Sequence, residues 1–106
     1  MDSRPEQKRI AYGYERTKDG KIVTKEWGCS TVKLIFLYAV EDNLSLGAMK
    51  EQLESLKIPC PRGGKTWSRQ TIANILSNRH YAGDDTYPQI VTNEMFLEAQ
   101  KRKKPE

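Results

Sequence analysis

Residues 58–77 read IPCPRGGKTWSRQTIANILS, and this stretch decides how the chain folds. Its prolines and glycines exclude regular structure from the first part, which is therefore predicted to be a loop. Ser68 is a favourable N-cap, and Trp67 and Ile72 occupy the two positions of a hydrophobic staple around it. The pattern predicts a helix from Ser68 to about Ser77, with a buried side formed by Ile72, Ile75 and Leu76.

The opposite side of this helix carries a continuous polar surface. Arg69, Gln70 and Asn74 lie there together with Ala73 and Ser77, at spacings that share one helix face. Arg, Gln and Asn are the side chains that pair with two atoms of a guanine or adenine edge, and an α-helix fits the major groove of DNA. A merely solvated helix usually also carries Glu or Asp, which this face lacks. We therefore interpret it as a base-reading surface.

Basic residues are concentrated around the same helix. The net charge is only +4, but residues 58–83 hold four basic residues and no acidic one. Such a segment suits a polyanionic partner. We expect Arg62, Lys65 and Arg79 to contact phosphates, and we expect close backbone approach at Gly64 and at the helix start beside Ser68.

Two helices and a hairpin are predicted on the N-terminal side of the loop. Asp19 and Gly20 separate two β-prone runs, which is typical of a hairpin. Apolar residues with helical spacing predict a helix over residues 26–40, with Thr24 as its N-cap, and a second helix capped by Ser45 and running to Lys57.

On the C-terminal side, residues 79–91 are predicted to form a second short hairpin or wing, with Asp84 and Asp85 near its turn. Thr92 is predicted to cap a last helix. The expected fold is α+β: a small helix-rich domain with a winged, helix-turn-helix-like core and two short hairpins. The expected organisation is a tether over residues 1–10, the domain over 11–100 and a basic tail over 101–106.

Length and composition exclude several classes of protein. A chain of 106 residues suits one small domain, and it contains no apolar run long enough to span a membrane or to serve as a signal peptide. Cys29, Cys60 and the single His80 are too few for a structural zinc site. We expect no metal and no cofactor, reduced thiols and a cytoplasmic location.

Two enzymatic functions are disfavoured by the sequence. Gly63-Gly64-Lys65-Thr66 resembles the end of a nucleotide-binding P-loop, but Pro59 stands where that motif needs a glycine. Ser68, His80 and Asp84 are residue types of a nucleophilic triad, but Ser68 is already predicted to cap a helix.

The residues are similar to the recombinase domain of the large serine recombinases, which are integrases of phages and transposable elements. The similarity covers about residues 10–103 and is most specific from Ile58 to Gly83, including Trp67-Ser68, Ile75-Leu76-Ser77-Asn78 and Tyr81-Ala82-Gly83. Two departures are Cys60, where a small polar residue is expected, and Arg79-His80, where a proline often follows the asparagine.

This resemblance implies a module that binds double-stranded DNA between a catalytic domain and a zinc ribbon. In that family a serine of the catalytic domain forms a phosphoserine link to DNA, and the protein acts as a dimer or tetramer. No serine here matches the nucleophile motif, so the expectation is a non-catalytic, monomeric fragment of a bacterial recombinase.

Two other functions remain open at this point. A protein-interaction module would use the tyrosines of the first hairpin and the leucine-bearing second helix. A stand-alone helix-turn-helix regulator would use the same DNA-reading helix without a catalytic domain.

Overall fold

The structure is a computed structural model that describes residues 10–102. The elements run in the order β1 Tyr14–Arg16, β2 Ile22–Thr24, α1 Glu26–Val40, α2 Leu46–Ser55, α3 Arg69–Ser77, a 3₁₀ helix Arg79–Ala82 and α4 Asn93–Arg102. The expected α+β class is confirmed, with four α-helices and one two-stranded sheet in this part of the chain. Most of the predicted tether, and the tail beyond α4, lie outside the described residues.

The first hairpin forms where the sequence predicts it. β1 and β2 pair antiparallel, with Tyr14 opposite Thr24. Because Thr24 belongs to the sheet, the prediction that it caps α1 is wrong. Lys25 occupies the N-cap position without a side-chain cap, and its backbone N–H donates to the Gly13 oxygen at 2.8 Å.

α1 packs directly on this hairpin through glycine. A Cβ on Gly28 would stand 2.7 Å from the Gly13 Cα atom, closer than real Cβ atoms come to a neighbour. The contact therefore requires glycine at position 28, and it places the start of α1 against the turn that leads into β1.

α2 begins at its predicted cap and ends earlier than predicted. The Ser45 hydroxyl accepts from the Ala48 N–H at 3.1 Å. The helix stops at Ser55 because Lys57 adopts a left-handed conformation, with φ of 61°. The Ile58 N–H returns to the Leu53 oxygen and the Lys57 N–H to the Glu54 oxygen, which is the hydrogen-bond pattern of a Schellman motif.

The helices enclose one core. Its side chains come from every helix and from the loop before α3, and those with less than 2% exposure include Val32, Ile35, Phe36, Met49, Leu53, Ile72, Leu76 and Tyr81. The predicted buried side of α3 is confirmed, because Ile72, Ile75 and Leu76 are all buried. α2 and α3 pack against each other across the connection formed by residues 56–68.

The predicted second hairpin and wing are wrong. Residues 79–82 form the 3₁₀ helix, and among residues 10–102 strands occur only in the first hairpin. Tyr87 of the predicted wing packs instead of joining a strand: its ring lies 4.6 Å from that of Tyr14, and the Tyr14 hydroxyl donates to the Pro88 oxygen at 2.6 Å. The segment that follows the 3₁₀ helix therefore packs on the first hairpin. The 3₁₀ helix does so too, because the Tyr81 ring stacks on that of Tyr14 at 5.8 Å.

α4 closes the domain against α1. The predicted cap is confirmed, since the Thr92 hydroxyl accepts from the Met95 N–H at 3.0 Å. α4 continues to Arg102, so the predicted basic tail begins inside a helix. No helix within residues 10–102 is long and apolar enough to cross a membrane.

Candidate nucleic-acid interface

The start of α3 is fixed by its capping residue. The Ser68 hydroxyl accepts from the Thr71 N–H at 3.0 Å and donates to the Thr71 hydroxyl at 2.8 Å, which confirms the predicted cap. Both sides of the Ser68 oxygen are thereby engaged. This arrangement does not suit a nucleophile, although His80 and Asp84 do contact each other through Nδ1 and Oδ2 at 2.5 Å.

Trp67 anchors the same helix end to the rest of the domain. Its side chain is 2% exposed and its indole N–H donates to the Ile58 oxygen at 2.8 Å. Its backbone N–H donates to Oε2 of Glu54 at 2.7 Å. Sequence reasoning missed Glu54, because a contact across thirteen residues leaves no local signal.

The outer face of α3 matches the predicted one. Arg69, Gln70, Asn74 and Ser77 are exposed, and Ala73 is half-buried. Gln70 Nε2 donates to Asn74 Oδ1 at 2.8 Å, so two of the predicted base-reading residues are held together. No acidic side chain belongs to this helix.

The loop before α3 presents the other predicted residues. Arg62, Gly64 and Lys65 are all exposed. A tight turn holds the loop, in which the Cys60 N–H donates to the Gly64 oxygen at 2.9 Å and the Gly63 N–H donates to the Cys60 oxygen at 2.7 Å. A Cβ at Gly64 would make only an ordinary 3.6 Å contact with Cys60 Sγ. The fold itself therefore does not require glycine at position 64.

Arg79 has a structural contact that the sequence did not predict. It is exposed on the 3₁₀ helix, and its guanidinium carbon lies 5.6 Å from the centroid of the Phe96 ring. A cation over an aromatic face is attracted to the ring electrons. This contact ties the 3₁₀ helix to α4, and the phosphate role of Arg79 stays a prediction.

A cleft of about 680 Å³ opens beside the helix start. Its lining residues include Tyr12, Arg62, Ser68, Thr71 and His80. The structure thus brings the loop, the first turn of α3 and the 3₁₀ helix to one concave surface. Gln70, Asn74 and Lys65 do not line this cleft.

Two carboxylates flank the region that is free of acidic residues in the sequence. Glu54 comes from α2, and hydrogen bonds from the Lys50 side chain and the Trp67 N–H lower the pKa of its carboxyl. Asp84 accepts from the N–H groups of Tyr87 and Thr86 and contacts His80, and these hydrogen bonds lower its pKa. Both carboxylates have partners that neutralise or bind them.

The described residues contain no group of three or more His, Cys, Asp or Glu side chains that could hold a metal ion. Several of the tyrosines and leucines that a protein-interaction module would use are buried in the core. Tyr14 is 5% exposed and Leu53 is fully buried, whereas Leu56 is 55% exposed.

Fold and surface together define a small helix-rich α+β domain that presents a polar helix. The family model described as Recombinase matches residues 26–106. The chain belongs to the Recombinase family, as the resemblance in the sequence indicates.

Two solved structures share the fold. One is described as "Crystal Structure of a LSR-DNA Complex"; it has a TM-score of 0.69 and 23% identity over 90% of this chain and 32% of its own. The other, "Sequence Requirements of the Listeria innocua prophage attP site", has a TM-score of 0.70 and 22% identity over 92% of this chain and 43% of its own. The present chain thus spans less than half of either relative.

Proposed function

We propose that this chain is a DNA-binding domain of a site-specific recombinase and that α3 enters the major groove of its target. The observation that carries the proposal is the exposed face of α3, where Arg69, Gln70 and Asn74 stand without any acidic neighbour on the helix. Membership of the Recombinase family supports it. One structure of the same fold is described as a complex with DNA, and the other is described by its attP site.

The residues divide into two roles under this proposal. Arg69, Gln70 and Asn74 read base edges in the groove, because their side chains offer paired hydrogen bonds. Arg62, Lys65 and Arg79 bind phosphates, and the backbone at Gly64 and Ser68 approaches the sugar-phosphate chain. Phosphate contacts fix the register of the helix and base contacts supply specificity.

The proposed parent protein is a larger recombinase that cleaves DNA through a serine nucleophile and assembles as a dimer or tetramer on its site. In this proposal residues 11–100 form the DNA-binding unit and strand cleavage belongs to another part of the parent. The chain matches only 32% and 43% of the two solved relatives, which leaves room for such a part.

The proposal is tested by titrating a fluorescein-labelled duplex with the 106-residue chain and measuring fluorescence anisotropy at a series of salt concentrations. Each phosphate contact contributes a slope of about −0.9 to log K against log salt, so three contacts predict a slope of roughly −2.7. A protein-interaction surface would respond weakly to salt. Absence of binding up to about 100 µM, or binding without salt dependence, would contradict the proposal.

A further inference from the structure

We propose that Glu54 is a positioning residue for DNA recognition, whose carboxylate holds the start of α3 in the orientation that presents Arg69 and Gln70. The inference rests on the proposed function of α3. It assigns to an acidic residue outside the basic segment a role that favours DNA binding. The charge of Glu54 alone would act in the opposite direction, because it repels phosphate.

The contacts of Glu54 join α2 to the residue that precedes the N-cap of α3. Glu54 lies in the last turn of α2, and its Oε2 atom accepts from Trp67 N at 2.7 Å and from Lys50 Nζ at 2.8 Å. The Lys50 ammonium is one turn earlier on the same helix, so it holds the carboxylate from the α2 side. A bond from a backbone N–H to a carboxylate is charge-assisted and stronger than a neutral one.

Trp67 connects the Glu54 carboxylate to the start of α3. It directly precedes the capping residue Ser68, and its ring is held in the core while its indole N–H is bonded to the Ile58 oxygen. The backbone nitrogen and the indole nitrogen of one residue are therefore fixed by two separate acceptors. Arg69 and Gln70 follow within three residues, so a shift of Trp67 moves their side chains.

Recognition of base edges is sensitive to such a shift. A contact displaced by about 1 Å loses much of its hydrogen-bond energy, and a binding surface depends on supporting residues that hold its side chains in place. Contacts with phosphates through long, flexible cations tolerate the same displacement. Loss of positioning should therefore weaken binding to a specific site more than binding to random DNA.

Two substitutions separate positioning from charge. Glu54→Gln removes the negative charge but keeps an oxygen that can accept from Trp67 N–H, whereas Glu54→Ala removes both. If Glu54 acted through its charge alone, both variants would bind all DNA more tightly. If it positions α3, only Glu54→Ala should lose affinity for the specific site.

The experiment uses the full 106-residue chain and two labelled probes: a duplex enriched by the wild-type chain from a random pool, and an unselected duplex of random sequence. Glu54→Ala should bind the enriched duplex at least about tenfold more weakly, while its affinity for the random duplex stays equal or rises. Glu54→Gln should stay within about threefold of wild type on both probes. Glu51→Ala, which removes an exposed carboxylate of the same helix and leaves Glu54 intact, is the matched control and should bind the enriched duplex at least as tightly as wild type.

Folding is checked on the same samples. The Trp67 amide resonance should move in Glu54→Ala and stay near its wild-type position in Glu51→Ala. If Glu54→Ala does not fold, Glu54→Asp takes its place, because a carboxylate withdrawn by one methylene keeps the charge and loses the contact; it should lose affinity for the enriched duplex in the same way.

The inference would be overturned if Glu54→Ala, or Glu54→Asp used in its place, bound the enriched duplex as tightly as wild type. It would also be overturned if Glu54→Gln lost as much affinity for that duplex as Glu54→Ala. A wild-type chain that enriches no duplex and binds neither probe would instead overturn the proposed function, and the inference with it.

Discussion

Gln70 Nε2 donates a hydrogen bond to Asn74 Oδ1 at 2.8 Å, across one turn on the exposed face of α3. The bond uses one donor of Gln70 and one acceptor site of Asn74, and the two side chains are thereby held as a unit. Adenine presents an acceptor and a donor in the major groove. The remaining Asn74 amide nitrogen and Gln70 oxygen have the matching donor and acceptor character.

This pairing predicts that Gln70 and Asn74 contribute to DNA binding together. Gln70→Ala and Asn74→Ala should each cost about 1–3 kcal/mol on the enriched duplex. The double variant should lose less than the sum, with a coupling of about 0.5 kcal/mol or more, because each single substitution already frees the other side chain. Anisotropy titrations of wild type, the two single variants and the double variant measure this coupling as a double-mutant cycle. Additive losses would show that the two residues act separately.

Lys65 should contribute to affinity without contributing to sequence preference. Lys65→Ala is expected to weaken binding to enriched and random duplexes by a similar factor and to reduce the magnitude of the salt slope by about one, because one phosphate contact is lost. Lys33→Ala is the control, since Lys33 is an exposed lysine of α1 outside the basic segment. An unchanged slope in Lys65→Ala would remove Lys65 from the interface.

Gly28 should be required for stability. Gly28→Ala places a Cβ 2.7 Å from the Gly13 Cα, and backbone cannot yield as a flexible side chain can, so we expect a loss of about 1–3 kcal/mol in the free energy of unfolding. Urea unfolding followed by circular dichroism measures it. Gly64→Ala is the matched control and should stay within about 0.5 kcal/mol of wild type, because its added Cβ has room. Equal stability of the two variants would contradict the close approach of α1 to the hairpin.

Substitution of Lys57 by glycine should increase stability, in contrast to the substitution of Gly28. Its φ of 61° strains any residue that has a Cβ, so Lys57→Gly should stabilise the chain by about 0.5–1 kcal/mol, after the greater flexibility of glycine in the unfolded state is subtracted. The thermal midpoint should rise by roughly 2–8 °C. Lys57→Ala removes the same side chain but keeps the Cβ, and it should give no such gain. A midpoint that rises equally in both variants would locate the effect in the lysine side chain.

The parts of the fold that the sequence predicts are those with local causes. Ser45, Ser68 and Thr92 each cap the helix that follows them, and Asp19-Gly20 turns the hairpin. These signals need only a few neighbouring residues. The exposed face of α3 was likewise predictable, because it follows from the position of its buried side.

The errors come from contacts between distant residues. Thr24 looks like a cap until its pairing with Tyr14 is known, and that pairing decides where α1 begins. Tyr87 lies in a β-prone run, but its ring packs on Tyr14, more than seventy residues earlier, instead of joining a strand. Glu54 and the contact of Arg79 with Phe96 were missed for the same reason.

The central claim is that α3 reads DNA, and the substitution Arg69→Ala tests it most directly. A random duplex pool is enriched separately with the wild-type chain and with Arg69→Ala, and the two sets of sequences are compared. We expect wild type to enrich a defined motif and Arg69→Ala to lose preference at one or two adjacent positions, at a cost of about 1–3 kcal/mol on the wild-type motif. If both proteins enriched the same motif with the same preference at every position, that result would contradict the assignment of α3 as the reading helix.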